Sequence, residues 1–130
     1  MRKARVEDFS QEESQIESVL RNVKAKLTAI GVGGAGNNTI TRLKLEGIEG
    51  AETVAVNTDA QDLLNAVSDH KILLGKQLTR GLGAGNDPKI GQAAAKESVE
   101  EIREVVKADM VFITCGLGGG TGSGAAPVIA

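Results

Sequence analysis

Hydroxyl, amide and carboxyl side chains stand within or beside three glycine-rich segments of this sequence. The segments read GVGGAGNN (31–38), GLGAGNDP (81–88) and GLGGGTGSG (116–124), and a short NTD (57–59) follows another apolar run. Glycines without a Cβ atom let backbone N–H groups approach phosphate oxygens closely, and a following helix N-terminus adds partial positive charge. The pattern therefore predicts a polyphosphate site in which the ligand is held from two sides.

The elements that must position these segments are short apolar strands alternating with helices. The sequence predicts strands over 26–32, 52–58, 71–75 and 109–115, and helices over 37–47, 60–67 and 88–107. Asp87 and Pro88 are a strong helix start, and Gly47 is a helix stop. This alternation predicts an α/β fold, a Rossmann-like, mostly parallel sheet with helices on both faces. The glycine-rich segments and the NTD are then expected together at the carboxyl edge of the sheet.

The two ends of the chain carry separate predictions. Residues 10–25 predict an amphipathic helix, because apolar side chains recur at i, i+3, i+4 and i+7 from Ile16. Residues 124–130 read as the opening of a helix with Pro127 in its first turn. Since a helix of one turn does not persist in water, we expect the chain to be a fragment of a larger domain.

Composition excludes several functional classes. The net charge of −2, with two Phe and no Trp or Tyr among 130 residues, leaves neither a basic field nor a stacking platform for nucleic acid. No stretch approaches the roughly 20 apolar residues of a membrane span, and the N-terminus has no signal-peptide pattern. We therefore expect a cytoplasmic protein without direct membrane insertion. Cys115 is the one cysteine, which excludes an internal disulfide and a multi-cysteine metal site.

The residues alone leave alternatives open. GVGGAG (31–36) also fits the dinucleotide fingerprint, with Asp59 roughly 20 residues further on, as an NAD-dependent oxidoreductase would have. The third glycine-rich segment argues against that function, because one pyrophosphate needs one such loop. A structural assembly module in which nucleotide is incidental is a further hypothesis. Asp59 could equally be a plain helix cap, and Lys76 and Arg80 could either steer phosphate or lie on a solvated surface.

Four motifs in order carry a family resemblance. GGGTGSG (118–124) resembles the glycine-rich signature of the tubulin/FtsZ superfamily, and GGAGNN (33–38) resembles the first loop of FtsZ, where tubulins differ. NTD and GLGAG match FtsZ segments in the same order, and the likeness runs from about Lys26 to Ala130. The N-terminal helix resembles the extension of archaeal FtsZ. The resemblance implies an extension over 1–25 and a GTP-binding domain over 26–130, truncated before a central helix and a C-terminal domain.

The resemblance also implies a ligand, GTP or GDP with Mg²⁺, and a role for each loop. The third loop would cradle the phosphates, the second would sense the γ-phosphate, and Asn57 and Asp59 would line the Mg²⁺ side, with Asp59 reaching the ion through water. The implied contacts of the three loops are Gly34, Ala35, Gly36, Asn37 and Asn38; Ala84, Gly85 and Asn86; and Gly119, Gly120, Thr121 and Gly122. The family has a small residue and then Asn before the proline, whereas Asn86 and Asp87 precede it here. We expect Asp87 to cap its helix and to face away from the nucleotide.

The function implied by the resemblance is that of a cell-division GTPase. Such a protein assembles head to tail with copies of itself into filaments, forms a ring at mid-cell and meets division-site anchoring proteins. An acidic loop of the next subunit completes hydrolysis, and neither that loop nor the segments that grip base and ribose exist in this chain. No catalytic residue is therefore assigned here, and the chain alone should bind GTP weakly. A tubulin-like paralogue acting in cell shape is the alternative within the superfamily.

Overall fold

One parallel sheet organises the computed structural model, which describes residues 2–23 and 25–130, with side chains over 10–20 and 25–130. Its strands are β1 (Leu27–Val32), β2 (Ala51–Asn57), β3 (His70–Leu73) and β4 (Met110–Cys115), in the order β3-β2-β1-β4. All neighbouring strands run parallel, and Val32 at the end of β1 is in register with Val56 and Cys115. The carboxyl ends of the strands therefore meet at one edge.

Helices cover both faces of the sheet. They are α1 (Arg2–Val23), α2 (Gly33–Glu46), α3 (Ala60–Asn65), α4 (Pro88–Glu97), α5 (Val99–Val105) and α6 (Gly120–Ile129). Even-numbered strand residues such as Ile30 and Val54 pack with alanines of α4 and α6, whereas Ala55 on the other face packs against Leu63 of α3. This alternation is the period-2 geometry of a strand, and it confirms the predicted α/β class.

The local signals that were clearest in the sequence are confirmed. Each predicted strand lies within two residues of its observed bounds. Gly47 ends α2 in the left-handed conformation, with φ of 86°, and its N–H donates to the carbonyls of Leu43 and Lys44. Asp87 caps α4 by accepting a hydrogen bond from the N–H of Lys89 at 2.9 Å, and Pro88 opens the helix.

The prediction of one continuous helix over 88–107 is wrong, because the helix is broken at Ser98 into α4 and α5. There the backbone leaves the helical region, with φ of −104° and ψ of 13°. The buried Ser98 hydroxyl accepts a hydrogen bond from the N–H of Gly75 at 3.0 Å, and the Glu97 carboxylate accepts from Gln77 and Leu78. The break lets the chain at the end of α4 hold the loop that follows β3.

Two helices begin four residues earlier than predicted. Helix α2 starts at Gly33 instead of position 37, and α6 starts at Gly120 instead of Gly124, which makes Pro127 its eighth residue and not part of its first turn. Glycine inside a helix costs roughly 1 kcal/mol relative to alanine, so the glycines predict loops. Packing overrides that preference, because a Cβ atom at Gly124 would overlap the carbonyl oxygen of Pro88 on α4.

Helix α1 is longer at its N-terminal end than the predicted 10–25 and ends at Val23. Its apolar residues Ile16, Val19 and Leu20 are about 60% exposed, so this stripe is not packed on the sheet domain. The side chain of Val23, predicted on the same stripe, lies outside the described residues. Within the described ranges, no helix is long and apolar enough to cross a bilayer.

Candidate functional site

A cavity of about 450 Å³ opens at the carboxyl edge of the sheet. It is bounded by the ends of β1 and β2, by the loop after β3 and by the segment between β4 and α6. Its lining residues are Val32, Gly33, Gly34, Ala35, Asn57, Thr58, Asp59, Asp62, Leu82, Gly83, Ala84, Gly85, Asn86, Gly116, Leu117, Gly119, Gly120, Thr121 and Gly122. The register of the parallel strands thus brings the three glycine-rich segments and the NTD to one place.

Helices α2 and α6 both begin at this cavity, and neither has a side-chain cap. The residues preceding them, Val32 and Gly119, make no capping hydrogen bond. The N–H groups in the first turn of a helix have no carbonyl partner within the helix, and they sum to a partial positive charge. Two sets of such donors therefore border the cavity on different sides, which is the geometry that binds an anion.

The charged side chains that line the cavity are negative, opposite to the partial positive charge of the helix N-termini. Asp59 and Asp62 are the charged residues in its described lining, which includes no lysine or arginine. Within this lining, the groups that can donate to a phosphate are therefore backbone N–H groups, hydroxyls and side-chain amides. A cation that bridges the carboxylates and the phosphate would offset the repulsion between them.

The Asp59 carboxylate caps a helix with one oxygen and leaves the other oxygen without a partner in the described residues. One carboxylate oxygen caps α3 by accepting hydrogen bonds from the N–H groups of Gln61 at 3.0 Å and Asp62 at 3.1 Å. The second oxygen has no hydrogen-bond partner among the described residues, and Asp59 is one of the residues that line the cavity. The helix-cap reading of Asp59 is therefore correct, and it leaves one oxygen for a ligand.

Asn37 and Asn57 form a buried amide pair at the wall of the cavity, which Asn57 lines. The Asn37 side chain donates to the carbonyl oxygens of Gly31 at 2.8 Å and Val56 at 3.1 Å, and it accepts from the Asn57 side chain at 3.1 Å. The side-chain Oδ1 of Asn57 in turn accepts hydrogen bonds from the N–H groups of the next two residues. These bonds tie the first loop to the end of β2 and fix the backbone direction of the NTD.

The loop between β3 and α4 follows an unusual backbone path over the site. Arg80 and Asn86 adopt positive φ of 52° and 59°, and Gly83 and Gly85 adopt 88° and 58°. Asn tolerates this conformation better than most residues, and glycine does so without steric cost. The path brings Ala84 against the start of α6, where a Cβ atom at Gly120 would lie 3.0 Å from that of Ala84.

The structure places eleven of the fourteen predicted contact residues in the cavity lining. Gly36, Asn37 and Asn38 are not among them. Gly36 packs against β1 and β4, since a Cβ atom there would lie 2.5 Å from the Thr114 carbonyl oxygen. Asn37 and Asn38 instead line a smaller adjoining cavity of about 280 Å³, which shares Gly34 and Asp62 with the first.

Several lining residues were missed by the sequence analysis. They are Val32, Gly33, Thr58, Asp62, Leu82, Gly83, Gly116 and Leu117. Thr58 carried a usable signal, because it is the central residue of the NTD motif at a strand end. Asp62 carried none, because its approach to Gly34 depends on how α3 packs against α2.

Other candidate residues lie outside the cavity. Lys76 is 3.5 Å from the Glu101 carboxylate, and neither it nor Arg80 belongs to the lining, so the solvated-surface reading fits both. Among the residues with described side chains, no group of three or more His, Cys, Asp or Glu could hold a metal by itself. Mg²⁺ commonly binds through one or two carboxylates together with substrate phosphates. Asp59 and Asp62 are carboxylates that fit this binding together with phosphates.

Comparisons with known proteins agree with this fold. The Tubulin/FtsZ family, GTPase domain, matches residues 26–130. The cell division protein FtsZ 1 of Methanocaldococcus jannaschii is 64% identical over 124 residues, covering 95% of this chain and 34% of that protein. The solved structure titled "FtsZ dimer, empty (M. jannaschii)" is similar at a TM-score of 0.86 and 66% identity, covering 91% of this chain and 35% of that one.

A more distant structure shares the fold. "CetZ2 from Haloferax volcanii - GTPgS bound protofilament" is similar at a TM-score of 0.70 and 33% identity, over 80% of this chain and 34% of that one. The chain therefore spans roughly a third of the length of the relatives it matches.

Proposed function

The chain belongs to the tubulin/FtsZ family, and from that premise we propose that its cavity binds GTP and GDP with Mg²⁺ as part of a cell-division GTPase. The observation that carries this proposal is the pair of uncapped helix N-termini, α2 and α6, at one cavity whose described lining has no basic side chain. A site that offers N–H groups from two helices suits a polyphosphate better than a single phosphate.

Each loop would then have its own part of the nucleotide. The first turn of α6, from Gly120 to Gly122, would hold phosphate oxygens through N–H groups and the Thr121 hydroxyl. The first turn of α2 would hold the ligand from the other side through Gly34 and Ala35. Ala84, Gly85 and Asn86 would meet the γ-phosphate, since they lie over the start of α6.

Asp59 is the residue we propose to face the cation. Its free carboxylate oxygen could bind Mg²⁺ directly or through a water molecule, and Asp62 lies beside it in the lining. Mg²⁺ would supply charge neutralisation between these carboxylates and the phosphates. The chain's own contribution is the fixed position of Asp59, which the cap on α3 secures.

Gly36, Asn37 and Asn38 do not line the main cavity, and we propose other roles for them. Gly36 and Asn37 fix the first turn of α2 from below, through close packing and buried hydrogen bonds. Asn38 is exposed and borders the adjoining cavity, where it could contact a part of the nucleotide beyond the phosphates.

Hydrolysis and assembly extend the proposal beyond this chain. From the family resemblance, we infer that the next subunit of a head-to-tail homopolymer completes the reaction. The titles "FtsZ dimer" and "protofilament" of two similar structures support self-association. A cytoplasmic filament ring at mid-cell, held by anchoring proteins, is the role proposed for the whole protein. We propose residues 1–25 as its extension and 26–130 as the nucleotide-binding part.

The alternatives are less well supported. Identity is 64% to a relative named as a cell division protein, which favours a division protein over a cell-shape paralogue. An NAD-dependent oxidoreductase would use the first loop alone, whereas here the third loop shares the same cavity. A purely structural module gives no reason for the two uncapped helix starts.

A competition titration tests the proposal. Fluorescently labelled GTP with Mg²⁺ is bound to the protein at the full length that its gene encodes, and GDP, ATP and NAD compete. We expect displacement by GDP and not by ATP or NAD, and weaker binding after Thr121→Val. Displacement by NAD with indifference to GTP would overturn the proposal, and equal competition by ATP would remove its guanine specificity.

A further inference from the structure

Thr58 connects all the loops of the cavity through buried hydrogen bonds. Its hydroxyl lies 2.6 Å from the hydroxyl of Thr121 at the start of α6. Its N–H donates to the Asn57 side chain at 2.8 Å, and that side chain is held by Asn37 of the first loop. Its carbonyl accepts from the N–H of Gly83 at 3.2 Å and from the Thr79 hydroxyl at 3.3 Å.

The direction of the hydroxyl pair follows from burial. Thr58 is fully buried, at 0% exposure, and among the described residues the Thr121 hydroxyl is the one hydrogen-bond partner of its own hydroxyl. If Thr121 donated to Thr58, the Thr58 proton would be left buried without an acceptor. An unsatisfied buried donor is costly, so the bond that satisfies both groups has Thr58 as donor and Thr121 as acceptor.

That direction determines what Thr121 can do in the cavity. A threonine hydroxyl has one proton and two acceptor lone pairs. When Thr58 fills a lone pair of Thr121, the Thr121 proton is free to point into the cavity. Hydrogen bonds to a charged acceptor are stronger when the donor is itself polarised by another hydrogen bond.

We propose that Thr58 is a positioning residue that orients the Thr121 hydroxyl as a proton donor towards a phosphate oxygen. This inference rests on the proposed nucleotide site and deepens it. Thr58 does not need to touch the nucleotide through its side chain. It acts through Thr121, while its backbone holds the second loop against the same cavity.

The test is a double-mutant cycle on nucleotide affinity in the protein at its full encoded length. The variants are Thr58→Val, Thr121→Val and their combination, with GDP and Mg²⁺ as ligand. We expect each single variant to weaken GDP binding about tenfold, equivalent to about 1.4 kcal/mol, and the double variant to be no weaker than Thr121→Val alone. Thr58→Ser, which keeps the hydroxyl, should restore wild-type affinity.

A matched control separates positioning from loss of stability. Thr53 is fully buried on β2, the strand that Thr58 directly follows, and its hydroxyl bonds to Asp69 at the opposite edge of the sheet. Thr53→Val should lower the melting temperature without changing GDP affinity. Additive losses in the Thr58/Thr121 cycle, or wild-type affinity in Thr58→Val, would overturn the inference while leaving the nucleotide site in place. Failure of the wild-type protein to bind GDP would instead overturn the proposed function, and the inference with it.

A second measurement does not depend on the variants folding. The proton of a buried, hydrogen-bonded hydroxyl exchanges slowly enough for nuclear magnetic resonance to detect. We expect a slowly exchanging hydroxyl proton that couples to Hβ of Thr58 in the nucleotide-free protein. Coupling of that proton to Hβ of Thr121 would show the opposite direction and overturn the inference.

Discussion

Four helices start at the carboxyl edge of the sheet, and they start in two different ways. Helices α3 and α4 are capped by Asp59 and Asp87, whose carboxylates accept hydrogen bonds from first-turn N–H groups. Helices α2 and α6 follow Val32 and Gly119, which provide no side-chain acceptor. In α3 and α4, some first-turn N–H groups already have a side-chain acceptor. In α2 and α6, the first-turn N–H groups have no side-chain cap and border the cavity.

Along this edge of the sheet, the N-termini of α3 and α4 serve helix stability, whereas those of α2 and α6 are left for ligand binding. A good N-cap contributes about 1 kcal/mol, and α2 and α6 forgo it. They are fixed by other contacts, namely close glycine packing and the buried Asn37 and Thr58 hydrogen bonds. A helix start can therefore be rigid and still keep its N–H groups for a ligand.

The largest expected effect comes from giving α6 a cap of its own. Gly119 has ordinary extended backbone angles, φ of −88° and ψ of 170°, and a Cβ atom there would meet no atom within 4 Å. In Gly119→Asp, the new carboxylate should accept from the first turn of α6 and repel phosphate. We expect GTP affinity to fall at least about 100-fold, roughly 2.8 kcal/mol, while thermal stability stays level or rises.

Gly119→Ala is the matched control for that substitution. It adds a Cβ atom without an acceptor or a charge, so stability should stay close to wild type and any loss of affinity should be much smaller than in Gly119→Asp. Calorimetric titration and a melting curve on the same samples distinguish the outcomes. Tight GTP binding by Gly119→Asp would mean that the N-terminus of α6 does not hold the phosphates.

Packing behind α6 should give the next largest effect. A Cβ atom at Gly124 would overlap the carbonyl oxygen of Pro88, which is backbone and cannot rotate away. We expect Gly124→Ala to lower the free energy of unfolding by on the order of 2 kcal/mol, measured by urea denaturation. An unchanged unfolding midpoint would show that the contact between α4 and α6 is not what fixes this uncapped helix.

Asp59 both caps α3 and lines the cavity, and two substitutions separate these two functions. Asp59→Asn keeps a good helix cap but removes the charge, so folding should be retained while Mg²⁺ stabilises bound GTP about tenfold less. Asp59→Ala should lose both. The measurement is GTP affinity with and without Mg²⁺, and equal Mg²⁺ dependence in Asp59→Asn and wild type would exclude a cation role.

Asp87 should affect stability alone. Asp87→Ala removes the cap of α4 and should cost about 1 kcal/mol of stability, visible as a lower melting temperature. GTP affinity should stay the same, because the Asp87 side chain is not part of the cavity lining. A rise in GTP affinity would instead place the carboxylate close enough to repel the phosphates.

The smallest effect is expected from a carboxylate at the far edge of the sheet. The hydrogen bond from Lys44, with help from the Thr53 N–H, holds the pKa of Asp69 below its usual 3.8. Because the folded-state pKa is depressed, the stability from Asp69 is present above pH 3.8 and is lost as pH falls through the folded-state pKa. Asp69→Asn should therefore differ from wild type by less than about 1 kcal/mol at pH 7, and by less still in acid. Denaturation at several pH values checks this, and a constant difference would exclude the linkage.

Sequence patterns alone were sufficient for the α/β class, the four strands and the meeting of the glycine-rich loops at one edge. These features follow from local chemistry, since short apolar runs and the cap at Asp87 act over a few residues. The parallel arrangement then required the loops to share an edge. Eleven of fourteen predicted site residues lie in the cavity for this reason.

Only the tertiary structure decided where helices α2 and α6 begin and where the helix after Pro88 breaks. The glycines of the first turns favour loop conformations locally, and their helical state depends on close contacts with β4 and α4. At the helix break, the Ser98 hydroxyl accepts a hydrogen bond from the N–H of Gly75, 23 residues earlier. The pairing of Thr58 with Thr121 likewise joins residues 63 positions apart. Such contacts depend on how distant segments pack, which no local pattern in the sequence records.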